Sequence, residues 1–188
     1  MTIETIISIC LGVGLSASVG FRVFLPLFAL SLASYFDVWL LNESWQWIGS
    51  STALIILGVA TLVEIFAYFI PYIDNVLDSI AVPLAALAGT AILQSTVADL
   101  SPVITWSLAI IAGGGTAAAI AGTSSTTRLA STVTTGGLGN PIVSMVETGT
   151  SLVMSVVSIF LPILAGILVI FILFVIFKLY KKFKSTKV

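Results

Sequence analysis

Histidine is absent from this chain, cysteine occurs once, and charge of either sign is scarce: 7 basic and 8 acidic side chains in 188 residues. Without histidine the commonest metal ligand and the usual general base are gone. The single Cys10, inside an apolar run, can build neither a disulfide framework nor a thiolate metal site within one chain. No serine stands in a nucleophile-elbow context, and Gly113-Gly114-Gly115 is followed by no Lys-Ser/Thr pair, so it is not a phosphate loop. Asp74 and Asp78, four apart on one helix, differ from two catalytic carboxylates brought together from separate elements. An enzyme is therefore not expected, and neither is a metal or other cofactor. The basic residues form no patch interleaved with exposed aromatics, which argues against a nucleic-acid partner.

What the chain has in abundance is apolar length. It is 59% hydrophobic and 8% charged, with a mean hydropathy of +1.21, whereas soluble domains run at roughly 45–50% apolar and about 25% charged. The composition predicts an all-α, polytopic transmembrane helical bundle in the lipid bilayer. Its N-terminus is apolar from Ile6 onward but carries Glu4 and no lysine or arginine, and the run is too long for a secretion signal, so it reads as a retained first span. With ~20 helical residues needed per crossing, about six spans fit: 3–35, 51–70, 72–94, 102–135, 141–160 and 162–180. Breaks or re-entrant turns are expected at Gly20, Pro26, Pro71, Asn140, Pro141 and Pro162, where glycine and proline punctuate the apolar runs. Nothing polar separates the fifth segment from the sixth, and one uninterrupted helix there would be about twice the apolar thickness, so either a turn at Pro162 or a shallow re-entrant fifth segment is expected.

Five of the seven basic residues, Lys178, Lys181, Lys182, Lys184 and Lys187, fall in the last eleven positions. Under the positive-inside rule this tail (181–188) is cytoplasmic, and six crossings place the N-terminus in the cytoplasm too. The loops at 37–50 and 95–102 then face outward without lysine or arginine, and Trp39, Trp45, Trp47 and Trp106 gather at that outer boundary, where indoles prefer to sit. Three spans in 1–100 and three in 101–180 enter the membrane from opposite sides, the arrangement of a 3+3 inverted repeat within one transmembrane domain. Each half carries glycines before an arginine (Arg22, Arg128), then a lone glutamate (Glu64, Glu147), then a proline (Pro71, Pro162).

The stretch Gly20-Phe21-Arg22-Val23-Phe24-Leu25-Pro26-Leu27, the run from Glu64 to Pro71, the aspartates Asp74 and Asp78, and Asn140-Pro141 with Glu147 resemble domain-of-unknown-function family 4126. The likeness covers nearly the whole chain. It implies a small multi-pass protein of the bacterial cytoplasmic (inner) membrane, and it confers no reaction.

Function must then be argued from the buried ionisable set: Arg22, Glu64, Asp74, Asp78, Arg128 and Glu147. An ionised side chain at the bilayer centre costs about 2.5–3.5 kcal/mol or more, so these six should face protein or water. Span depth predicts Arg22 near the outer leaflet and the other five toward the cytoplasmic side. Each has a structural alternative: the arginines as ion pairs or carbonyl clamps at helix breaks, the aspartates as caps of the third span. Glu64 and Glu147 are the sharper candidates, because each is the lone charge of its span. The small-residue faces, such as Gly14, Ser18 and Arg22 or Ala118 and Gly122, read as close helix packing, or else as the lining of a polar path helped by Ser124, Ser125, Thr126 and Thr127.

Three functions fit these features. The first is a small transporter or channel-like carrier that moves a solute, ion or lipid headgroup past the charged residues. The second is a non-transporting membrane subunit or scaffold docking a partner protein or a second copy. The third is lipid handling, with the two arginines as headgroup contacts near opposite leaflets. Six short helices enclose little volume, which favours a homo-oligomer.

Overall fold

The computed structural model describes residues 2–185, and Lys187 of the basic tail lies outside them. The regular structure among the described residues is all helical, without a strand: α1 (Ile3–Val19), α2 (Phe24–Tyr35), a 3-10 helix (Glu43–Gly49), α3 (Ser51–Ala67), α4 (Pro71–Thr96), α5 (Pro102–Leu108), a π-helical segment (Ala109–Gly114), α6 (Gly115–Thr135), α7 (Asn140–Phe160) and α8 (Pro162–Ser185). Local chemistry sets many of the boundaries. Thr2 accepts from the Thr5 amide at 3.2 Å to open α1, and Ser50 accepts from the Ala53 amide at 3.1 Å to open α3. Proline starts α4, α5 and α8 and is second in α7, positions where its missing N–H is no loss. Gly136, with φ of 64°, ends α6 in a left-handed turn.

Directions follow from the contacts. Gly12 of α1 meets Thr96 of α4, and Gly14 meets Ser158 of α7. Further along, Ser16 bonds Gly89 and Ser18 bonds Ser151. Both α4 and α7 thus run antiparallel to α1. The second helix, in contrast, runs parallel to α7: one groove brings Leu25 and Thr148 together with Leu32, Val156 and Phe160. Beyond α2, Trp39 donates to the Ile159 carbonyl at 2.9 Å, and the Asn42 amide donates to Ser95 at 2.9 Å. The chain therefore enters along α1, turns at residues 20–23 inside the bundle, and leaves along α2 by the end at which it entered.

This re-entrant hairpin revises the expected topology. Among the described residues, four helices are long and apolar enough to cross a membrane, Ile73–Thr96, Pro102–Thr135, Asn140–Phe160 and Pro162–Lys182, and the pair Glu43–Gly49 with Ser51–Ala67, bent by 63°, brings the number to at most five. The multi-pass helical bundle with a broken, re-entrant element stands as expected. The approximate count of six becomes four to five, because α1 and α2 are ~25 and ~18 Å long at 1.5 Å per residue, each short of a ~30 Å core. The fifth segment, α7, is a full-length helix and not the shallow one.

Two further expectations change with the hairpin. Cys10 lies against Gly166, and Phe21 shares a groove with Ile172 and Ile176, so α8 runs parallel to α1. The start of α1 and the end of α8 thus lie at opposite ends of the bundle, not together in the cytoplasm. The contacts do not pair α1 with α6 as opposed members of a repeat, because both run antiparallel to α4 and hence in the same sense. The tryptophan-bearing residues 39–47 and the 97–101 link gather at the end where α1 starts, and the lysines of α8 at the other.

The core is a crossing of small residues. A Cβ on Gly89 would lie 2.7 Å from the Gly113 carbonyl oxygen, so α4 and the π-helical segment touch backbone to backbone. Ser18 donates to the Ser151 carbonyl at 2.6 Å and lies 2.7 Å from Ser155, fastening α1 to α7. The face Gly14, Ser18 and Arg22 thus serves close packing onto α7, whereas Gly122 faces open space.

Candidate functional site

The hairpin tip places a break where charges can be satisfied. The first amides of α2 have no intrahelical acceptor, and Glu64 of α3 supplies one, accepting from Val23 at 2.7 Å and from Phe24 at 3.0 Å. A carboxylate at a helix N-terminus is favoured by the macrodipole as well as by these bonds. Pro26, expected as a break point, is the third residue of α2, in the first turn; the break itself lies at 20–23. A Cβ on Gly20 would come within 2.5 Å of Ile120, so glycine allows the tip to rest on α6.

Arg22 leaves this tip toward α7. Its Nη1 donates to Glu147 Oε2 at 3.2 Å, its Nη2 to the carbonyl and hydroxyl of Ser144 at 2.9 and 2.6 Å, and its Nε to Thr148 Oγ1 at 3.0 Å. Arg128 approaches the same carboxylate from α6: Nε donates to Glu147 Oε1 at 3.1 Å and Nη2 pairs with Oε2. Ser124, one turn before Arg128, also donates to Glu147. Both guanidinium carbons lie 4.1 Å from the centre of the Tyr68 ring, whose negative π face offsets part of their positive charge. Both arginines are 1% exposed.

The aspartates close the far side. Asp74 pairs with Arg128 and accepts from Asn140 Nδ2 at 2.9 Å, and Asn140 also donates to Thr132 at 3.0 Å. Asp78 is held more loosely, 3.7 Å from Arg128 Nε with its side chain 21% exposed. It borders a polar cavity of about 20 Å³ shared with Glu64, Tyr68, Ser125, Arg128 and Glu147, room for one or two waters. Four carboxylates thus meet two guanidiniums.

All six sequence-predicted charged residues meet in this one cluster. Arg22 is the correction: the hairpin carries it inward to Glu147, so it does not stand near the outer leaflet apart from the rest. The predicted breaks Gly20, Pro71, Asn140, Pro141 and Pro162 all lie at helix ends. Tyr68, Ser144, Thr148 and the side chain of Asn140 join the cluster without having been singled out for it. A signal existed for the α7 members, because Asn140, Ser144, Glu147, Ser151, Ser155 and Ser158 share a buried face while Ile142, Val146, Val153 and Phe160 are exposed. In a membrane helix that inside-out pattern marks the protein-facing side. Of the hydroxyls proposed for a polar path, Ser124 and Ser125 border the polar cavity, whereas Thr126 and Thr127 bond Gly122 and Thr123 of their own helix.

No curated protein and no solved structure matches the chain. One family does, over residues 9–182, and those 174 residues take in the re-entrant hairpin and every charged residue of the cluster. The chain belongs to the family described as Domain of unknown function (DUF4126).

Proposed function

We propose that this protein is a small membrane carrier, with its charged site closed in this structure, that passes a proton or other cation through the cluster at the hairpin tip. The observation that carries the reading is the charge balance. Two guanidiniums neutralise two of four carboxylates, of which Glu64, Asp74 and Glu147 are buried and Asp78 is half-buried; the remaining pair needs compensation from outside the fold, because uncompensated charge in a medium of low dielectric is costly. Glu64 is partly served by the α2 amides. Asp78, with one long ionic contact and an edge on the cavity, is the group that exchanges. Broken helices aimed at a buried site are also how transporters build binding positions from backbone. The bilayer in question would be the bacterial inner membrane, with the lysine-bearing end of α8 in the cytoplasm and the start of α1 outside.

The second reading, a scaffold or subunit, is favoured by the close pairing of the arginines and by a cavity that holds no more than a water or two. In that case the ionic cluster latches the hairpin and nothing passes. Lipid handling by arginines at opposite leaflets loses its basis, since both contact the same carboxylate and the same ring.

Purified protein in vesicles loaded with a pH-sensitive dye, under an imposed potassium diffusion potential, separates these readings. The carrier should admit protons faster than empty vesicles, and Asp78→Asn should remove the excess while the protein keeps its thermal midpoint. Entry no faster than in empty vesicles would leave the scaffold. Asp78 suits the test better than Glu147, because Glu147 holds both arginines and its loss would disturb the fold.

A further inference from the structure

Consecutive helices α3 and α4 are joined by three residues, yet α3 packs on α2 and the 3-10 helix and not along α4. The gap between them is a groove of about 530 Å³, within the roughly 300–1,000 Å³ that accepts a drug-sized molecule. Its walls are aliphatic and aromatic, with Val59 and Val63 on one side, Ile80 and Leu84 on the other, and Val23 and Phe24 behind. Two polar side chains reach its floor, Glu64 and Tyr68, and both also border the polar cavity, as do Val23 and Ala81. An apolar slot therefore leads from the membrane-facing surface to the edge of a cluster in which carboxylates outnumber guanidiniums by two.

We propose that this groove binds a lipophilic cation, an amine or quaternary centre on an apolar body, with the body between α3 and α4 and the positive charge at Glu64 and the cavity beyond it. The assignment rests on the carrier reading and names its substrate class. A plain acyl chain would fill the walls and leave the carboxylate excess unanswered. An anionic amphiphile would meet like charge. A second copy of the chain would offer no cation at the required depth, since the basic residues of α8 lie at its end.

Two probes of one shape and opposite charge decide the matter: tetraphenylphosphonium and tetraphenylborate, measured by equilibrium dialysis against the purified protein in nanodiscs. Saturable binding of the cation is expected, weakened at least tenfold in Ala60→Phe, which fills the groove one turn of α3 before Glu64 without altering a charge, and in Glu64→Gln. The anion should show no binding above that of empty nanodiscs. Equal binding of both ions, uptake that tracks lipid alone, or cation binding unchanged in Ala60→Phe would each overturn the proposal. Proton entry measured on the same preparation tells the two failures apart. If entry dependent on Asp78 persists without cation binding, only the substrate class falls. If both are missing, the carrier reading falls with it.

Discussion

The tryptophan-bearing end and the lysine-bearing end of this bundle hold their helices together by opposite means. Near the first, α1, α4, the π-helical segment and α7 meet through glycine and serine: Gly89 against Gly113, Ser16 on Gly89, Ser18 on Ser151. Near the second, the same helices and α3 are joined by Arg22, Arg128, Glu64, Asp74 and Glu147. Lipid tails are as apolar as leucine, so helices in a membrane gain little from burying hydrocarbon and associate by close backbone approach or by polar contacts. Small residues suffice for the first route and leave no space between helices. The second leaves a water-sized gap and a surplus of carboxylate. Joining the helices does not call for more carboxylates than guanidiniums, and the cost of that surplus is the reason to assign function there.

This contrast is open to attack from both sides. The largest effect is expected from Arg128→Ala, which takes the only guanidinium from Asp74 and Asp78 and one of two from Glu147. Removing one partner of a buried ion pair costs about 3–5 kcal/mol, to be read as a large drop in the unfolding midpoint in detergent. Arg128→Lys should recover only part of it, since a point charge cannot replace the guanidinium fork. Gly89→Val comes next, at about 1–3 kcal/mol for overpacking a tight contact. The variant should destabilise without altering proton entry per folded molecule; loss of entry at full stability would show that the two ends are not separate in role. Tyr68→Leu should cost ~1–2 kcal/mol for the lost cation–π contacts, with Tyr68→Phe close to the parent on the same denaturation measurement.

Much of this was readable in the residues. Composition alone places the chain in a membrane, and the rarity of charge singles out the six side chains that meet in the cluster. What the residues concealed is the direction of α2. The run 3–35 is long enough to read as one tilted or broken span, and apolar pattern says nothing about whether a chain continues or doubles back after a break. The length of α2 held the clue, for twelve residues after Gly20-Phe21-Arg22-Val23 fall short of a crossing. Once α2 returns, Arg22 moves from an outer leaflet to the cluster, the start of α1 and the end of α8 separate, and α1 no longer pairs with α6 as an opposed member of a repeat. Tyr68 was hidden for another reason: its partners come from α1 and α6, far away in sequence, and no local spacing reports them.

Every functional statement above depends on that hairpin, and side-specific labelling tests it directly. In a Cys10→Ser background, Glu4→Cys, Asp99→Cys and Lys181→Cys are each exposed to a membrane-impermeant maleimide in intact cells and after permeabilisation. A re-entrant α1–α2 predicts that positions 4 and 99 label from one side and position 181 from the other. Labelling of positions 4 and 181 from the same side would mean that residues 3–35 cross the membrane, and Arg22 could not then lie against Glu147 as described.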